Sequence, residues 1–381
     1  VADDLTLKVA GAAISGWTEL RVTRGIERCP STFDISMTEL FPGNAAQFVI
    51  EPGAPCQVLL GGDLVVTGYV DAIAPTLTGG QHILRVTGRG KCEDLVDCAA
   101  EWAGGQISGT SALDIATKLA QPYGITVTGI GSVGGSIGAV AGAGVGDGGA
   151  SVGTALAIIP QFNLMIGETA YDIIERVCRA SQLLCFEDAK GNLVLAQAGG
   201  QTHASGVAQG QNLQEGHAEY SLAERYSEYD CWLQSMETLG DLGNNDNIVS
   251  TARDPGVTRN RKHFIICDGG GQGLALAQAR VNWEMNRRIG RGTQLTVTVD
   301  SWRDTASVLW SPNNVIPVDA PALKSNRASA WLIGEVSYFR DERGTHAELH
   351  LMPPQAFQPE PFLVQPTFPD LTPTVGGQVG F

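Results

Sequence analysis

Charge is scarce in this chain of 381 residues: Asp, Glu, Lys and Arg together make up 17%, against the ~25% usual for a globular protein. Basic residues are scarcer still, with 25 Lys and Arg against 40 Asp and Glu and a net charge of −15. A protein built to grip nucleic acid needs a basic footprint for the phosphates, so that class is excluded. Long apolar runs are missing. No stretch of about 18 apolar residues is free of glycine and charge, which excludes an ordinary transmembrane helix. Residues 1–20 lack a basic segment followed by an apolar one, so no signal peptide is expected there. Also absent are C-x-x-C spacing among the eight cysteines and any zinc-finger arrangement of Cys and His. The thiols are expected to be buried groups of a protein made in a reducing compartment.

What the chain has in excess is glycine, 48 residues, alongside 43% hydrophobic residues, enough to bury real cores. Few charges and many glycines suit a β-rich protein with much of its surface covered by neighbours. Alternating apolar and polar residues predict strands at 5–9, 17–23, 33–38, 57–60, 64–70 and 82–87. Turn signals separate them, among them Pro42-Gly43-Asn44, Pro52-Gly53 and Gly61-Gly62-Asp63. Short strands so punctuated predict a barrel or sandwich. Helical signals follow. Ser111 and Asp114 form a capping-box pattern before Leu113, Ala116, Leu119 and Ala120, and Thr169 and Asp172 form a second before Ile173, Ile174, Val177 and Cys178. A hairpin follows, with Lys190-Gly191-Asn192 at its turn. Between the helices lies a glycine-rich run, 128–154, carrying the single charge Asp147. Strands return from about Glu219 to Met352, interrupted by one helix with the stripe Leu274, Ala277, Val281, Met285 and Ile289. After Pro353-Pro354 the chain is proline-rich and predicts an extended arm.

The two β-rich regions echo each other. Residues 64–71 (Leu-Val-Val-Thr-Gly-Tyr-Val-Asp) parallel 331–337 (Trp-Leu-Ile-Gly-Glu-Val-Ser). Each is followed by a loop and an alternating strand beginning at His82 or His346, and preceded by a turn-rich strand and then a clean alternating one. The order predicts two copies of one small barrel in a single chain. Three such chains would present six barrels in a ring.

Seven segments follow the order of a known family: 33–39 (Phe-Asp-Ile-Ser-Met-Thr-Glu), 50–56 (Ile-Glu-Pro-Gly-Ala-Pro-Cys), 66–71 (Val-Thr-Gly-Tyr-Val-Asp), 86–97 (Val-Thr-Gly-Arg-Gly-Lys-Cys-Glu-Asp-Leu-Val-Asp), 188–195 (Asp-Ala-Lys-Gly-Asn-Leu-Val-Leu), 309–318 (Leu-Trp-Ser-Pro-Asn-Asn-Val-Ile-Pro-Val) and 332–338 (Leu-Ile-Gly-Glu-Val-Ser-Tyr). In these the chain resembles the baseplate hub proteins of tailed phages, the group of Mu-type tail protein P and late-control protein D. The resemblance covers most of residues 1–355. It implies a mainly β protein with an α+β insertion, two similar small β-barrel domains per chain, and a pseudo-six-fold ring as a trimer. The expected domains are a first barrel at 1–98, an inserted α+β domain at 99–215, a second barrel at 216–355 with one helix (272–290), and a C-terminal arm at 356–381. The implied role is structural and non-enzymatic, needing no cofactor or metal: a virion hub adapting the six-fold tail tube to the three-fold spike and forming part of the DNA passage. The implied partners are further copies of the chain, the tail tube or distal tail protein, the spike or tail-tip protein, the tape-measure C-terminus and the baseplate wedge proteins. DNA passes during genome ejection without specific binding, and stable membrane insertion is not expected. Assembly is expected in the host cytoplasm. The glycine-rich run and the long tail after Pro354 depart from the family pattern. Their apolar residues are the candidate partner contacts: Val133, Ile137, Val140 and Val145 in the run, and Phe357, Phe362, Leu363, Phe368 and Leu371 in the arm.

Several short motifs and residue groups resemble chemical sites. The run contains two G-x-S-x-G matches, centred on Ser136 and Ser151, but neither has the strand–turn–helix frame of a nucleophile elbow. A G-x-G-x-x-G match at 129–134 lacks its βαβ unit. His346 and His350 share a strand face without a third ligand, which predicts a solvated or interface face. Glu168, Asp172 and Glu175 fit helix capping better than an acid/base pair. Residues 167–174 resemble the start of a LysM peptidoglycan-binding module, so a tail-tip protein that binds or degrades cell wall is the alternative function.

Overall fold

Leu5, Leu7 and Val9 are buried while Thr6 and Lys8 between them are not, the period-two burial of a strand with one face on a core. The same alternation recurs along the chain and produces a mainly β architecture. The structure is a computed structural model and describes residues 4–38, 50–79, 81–102, 105–130, 158–234, 248–268, 273–326 and 329–361. The described residues up to Gly90 supply strands β1 (Leu5–Val9), β2 (Ala12–Ile14), β3 (Glu19–Gly25), β4 (Thr32–Thr38), β5 (Pro55–Leu60), β6 (Asp63–Thr78) and β7 (Gln81–Gly90). Then come α1 (Glu93–Asp97), β8 (Gln106–Ser111), α2 (Ala112–Ala120), β9 (Val127–Ile130), β10 (Ile158–Asn163), α3 (Ala170–Ala180), β11 (Leu184–Glu187) and β12 (Leu193–Ala196). The remainder is β13 (Gln201–Thr202), β14 (Val207–Ala208), β15 (Leu213–Tyr220), β16 (Glu228–Gln234), β17 (Ile248–Arg253), β18 (Lys262–Asp268), α4 (Gly273–Arg291), β19 (Thr293–Val299), β20 (Asn314–Asp319), β21 (Ala330–Asp341) and β22 (Gly344–Met352).

One 14-stranded sheet dominates, and its main path reads β15-β19-β22-β21-β3-β4-β7-β6-β5-β1-β2. It contains the same five-strand pattern twice. In the first half the neighbours run β3-β4-β7-β6-β5; in the second they run β15-β19-β22-β21-β20, every pair antiparallel. Chain order and sheet order correspond strand for strand, so the echo seen in the residues is an echo in topology. The halves join where β3 pairs β21, with Tyr338 opposite Val22. A continuous core runs through both, with Trp17, Trp302 and Trp310 among its largest fully buried side chains.

The inserted α+β unit has its own core, in which Ile115, Leu119, Ile173, Ile174 and Val177 meet Leu193 and Leu195. Both helix starts behave as their residues require. The Ser111 hydroxyl accepts from the Asp114 amide, and Thr169 and Asp172 complete a reciprocal capping box. Two expectations need correction. Residues 201–208, expected in the inserted domain, form β13 and β14 and pair with β20 of the large sheet. Residues 228–234, 248–253 and 262–268, expected in the second barrel, form a separate three-stranded sheet, β17-β16-β18, with α4 across one face. Their apolar residues close a core with Leu276, Ala277 and Val281 and not with the large sheet. The glycine-rich run begins as a strand, since Thr128, Gly129 and Ile130 lie in β9, parallel to β12.

Candidate interaction surfaces

One buried carboxylate is central to the contact between the first half of the sheet and the inserted unit. Glu187, at the end of β11, is 3% exposed. Its Oε1 accepts from the Cys92 amide and its Oε2 from the Ser31 amide, each at 2.9 Å. Burial pushes this carboxyl up from its ordinary value, and the two amides oppose that rise. Gly90 makes the approach possible, because a Cβ there would lie 1.8 Å from Glu187 Oε2. The turn after β11 adds a second bond, from Thr67 Oγ1 to the Ala189 carbonyl at 3.0 Å. Beside this clasp, Arg89 binds Asp71 at 2.8 Å, Asp97 at 2.7 Å and Glu93 at 3.1 Å. Glu93 is pushed up to about 8, first by burial and then by the Asp71 carboxylate, with Arg89 only partly opposing them.

A second junction lies at the C-terminal end of the described chain. Phe357 was expected among the arm's exposed contact residues. It is 2% exposed and sits in a core with Ile26, Leu184, Phe186, Val194 and Leu332, so it joins both halves and the inserted unit. A ring this large, brought to the point where three elements converge, is worth more buried than presented to a partner. The backbone on either side of it is strapped along α4. Arg287 and Arg291 donate to the Ala356 carbonyl at 3.1 and 3.2 Å, Trp283 Nε1 donates to the Gln358 carbonyl at 2.7 Å, and Arg280 pairs with Glu360. A cleft of about 380 Å³ between Tyr171, Arg179, Trp283 and Phe357 marks this junction.

The residues that prompted chemical readings are structural where they are described. Glu168 accepts from the Met165 amide at 2.8 Å and pairs with Arg176, Asp172 caps α3, and Glu175 binds Arg179 at 2.9 Å. His346, expected on a solvated or interface face, is 5% exposed and stacks on Phe339 with centroids 5.2 Å apart; its neighbour His350 bonds Thr296 instead. One pair escaped the sequence reading. His203 Nδ1 lies 2.9 Å from Asp304, its Nε2 lies 3.2 Å from the Leu309 carbonyl, and the ring stacks near Trp310. Burial raises the Asp304 carboxyl, but the Val308 and Ala306 amides and His203 more than offset this and hold it low. With both ring nitrogens engaged, the pair is a latch between β13 and the loop after β19. Only spatial proximity reveals it, because the two residues are 101 apart in sequence. Among the described residues no group of His, Cys, Asp or Glu is arranged to hold a metal, and no helix is long and apolar enough to cross a membrane. Of the eight cysteine thiols six are buried, while Cys29 and Cys98 are half-buried. Tyr171, the aromatic of the LysM-like segment, turns its hydroxyl to the Cys185 carbonyl at 3.1 Å and packs against the inserted unit's core. Val133, Ile137, Val140 and Val145, both G-x-S-x-G matches, and Phe362, Leu363, Phe368 and Leu371 lie outside the described residues.

Three family models match in chain order. Residues 4–90 match the N-terminal domain of the Mu phage baseplate assembly protein GpP-like family, 92–142 and 150–197 the second domain of the baseplate hub protein gp44-like family, and 273–360 the fourth domain of Mu phage baseplate assembly protein GpP. The chain is 30% identical to baseplate hub protein gp44 of Escherichia phage Mu over 363 residues, which cover 94% of this chain and 89% of that relative. The chain belongs to the Mu-type baseplate hub family. Its fold matches the 43 kDa tail protein of prophage MuSo2 from Shewanella oneidensis, with a TM-score of 0.76, 26% identity, and coverage of 94% of this chain and 100% of that one. A tail protein from Neisseria meningitidis MC58 shares the fold at a TM-score of 0.73 and 18% identity, over 93% of this chain and 99% of that one. The hub is thus a structural component of a phage tail. The clasp at Glu187 and the Phe357 junction hold its parts in place.

Proposed function

We propose that three copies of the hub close a ring with six like units, adapting a six-fold tail tube to a three-fold spike. The observation that carries this reading is the repeated strand order, β3-β4-β7-β6-β5 and β15-β19-β22-β21-β20, within one chain. Two similar units per chain, taken three times about an axis, give quasi-six-fold faces while the assembly remains a closed three-fold oligomer. The role is non-enzymatic. In the assembled tail the ring contacts the tube or distal tail protein above, the spike below, and the tape-measure C-terminus and wedge proteins around it. DNA crosses the bore without specific binding, and the net charge of −15 supports this because an acidic or neutral wall does not trap phosphates. Assembly takes place in the host cytoplasm. The glycine-rich run and the arm beyond Pro361 are contact elements, and the arm lies along a neighbouring subunit or the spike. Native mass spectrometry of the purified hub tests the ring: a trimer is the expected species, and a stable monomer at assembly concentrations overturns it. A turbidity assay on purified cell wall, expected to show no clearing, tests the non-enzymatic role.

A further inference from the structure

The β17-β16-β18 sheet is covered on one side only. Tyr229, Cys231, Ala252 and Ile265 face α4 and are buried with it. Alternation sends Trp232, Val249, Phe264 and Ile266 to the other side. The registers place Trp232 directly between Val249 and Ile266, with Phe264 one row away opposite Asp230. These four side chains are 37%, 38%, 60% and 79% exposed. The Trp232 and Phe264 rings lie 6.4 Å apart, so the residues form one patch. A charged row bounds it at one end, where Glu228 pairs with Arg253 at 3.1 Å and with Lys262. Asp230, on the same face beside Phe264, is buried and accepts a hydrogen bond from Thr251 Oγ1.

Its size limits what it can hold. Three strands about 4.8 Å apart and a few residues long present on the order of 200 Å². A stable globular interface needs about 800 Å² per partner. The patch therefore suits a tethered segment whose local concentration is raised by the assembly to which it belongs. The hub carries such a segment. Residues 362–381 hold Phe362, Leu363, Val364, Phe368 and Leu371, and Asp370 is their single charged residue. The strap delivers them to the same α4 unit, running from Arg291 past Trp283 to Arg280, where Glu360 is paired. Twenty residues in extended, proline-rich form reach about 60 Å. Pro366, Pro369 and Pro373 favour that form and lower the entropy cost of binding in it. They also disfavour the reversal needed to reach the far face of the arm's own sheet.

We propose that the bare face of β17-β16-β18 seats the C-terminal arm, residues 362–381, of a neighbouring copy of the hub. This rests on the oligomeric reading above. The test uses the full-length protein carrying a photo-crosslinking p-benzoylphenylalanine in place of Phe264, with native mass measured on the same sample. The expected product has the mass of two chains, and its crosslinked peptides map to 362–381. In parallel, Ile266→Asp and deletion of 362–381 should each raise the concentration at which the oligomer dissociates by about tenfold or more. Combined, they should do no more than either alone, because both remove one contact. Crosslinks within a single chain, to another segment or to nothing in an intact trimer overturn the seat and leave the ring standing. Multiplying effects of the two changes also overturn it. A monomer overturns both.

Discussion

Thr23 on β3 and Ser337 on β21 share a hydrogen bond of 2.8 Å closed off from water, in the ladder where the two like halves of the hub meet. Each hydroxyl is the other's partner at a place where an unpaired one is costly. Thr23→Val and Ser337→Ala should each cost about 1–2 kcal/mol, and the double variant clearly less than their sum. Urea unfolding of the four proteins in this cycle measures it. Additive losses would mean that the bond contributes nothing.

The Glu187 clasp predicts a larger loss. Removing the carboxylate orphans the Ser31 and Cys92 amides together. Glu187→Ala should destabilise the hub by about 2–6 kcal/mol, at about 1–3 kcal/mol for each buried group left unpaired. Gly90→Ala should destabilise comparably by forcing the carboxylate aside. A denaturant midpoint within error of the parent for either variant would show that the clasp bears no strain.

Glu93 predicts a pH dependence of definite sign. Its carboxyl is raised in the folded protein to about 8, whereas in the unfolded chain it lies near ~4.3. The protonated form therefore favours the fold, and its contribution is complete below the unfolded value and lost as pH rises through about 8. Glu93→Gln keeps the neutral form at every pH. It should raise Tm at pH 8.5 by ~2–4 °C for each kcal/mol recovered, and change it little at pH 4. Scanning calorimetry at the two pH values decides; equal shifts would remove the assignment.

Phe357 and the arm should separate cleanly. Phe357→Ala should cost about 3–5 kcal/mol as a cavity in a fully buried site. Truncation after Pro361 should leave the unfolding free energy of the subunit within ~0.5 kcal/mol of the parent. The two proteins can be compared by guanidinium titration at a concentration below assembly. A stable F357A protein would contradict the junction.

Much of the hub was legible in its residues because the signals are local. Alternation at Leu5, Leu7 and Val9 is a property of adjacent positions, and so are the caps at Ser111 and Thr169. The echo between the segments at Leu64 and Trp331 carried over because a strand order repeated in space leaves matching patterns along the chain. What the chain alone left undecided depends on partners far apart. The segments at Glu228–Gln234 and Lys262–Asp268 have strand-like patterns suited to any sheet; pairing β16 parallel to β18, and packing Tyr229 and Ile265 under α4, took them out of the large one. Glu187 binds amides 156 and 95 residues away, and His203 meets Asp304 across 101. Phe357 sits in a sequence that looks like an exposed arm and is buried only because Ile26, Leu184 and Leu332 converge on it. Periodicity says which side of an element is apolar. Which other element covers that side is decided by packing at a distance, where the gain from filling a shared core outweighs any local preference.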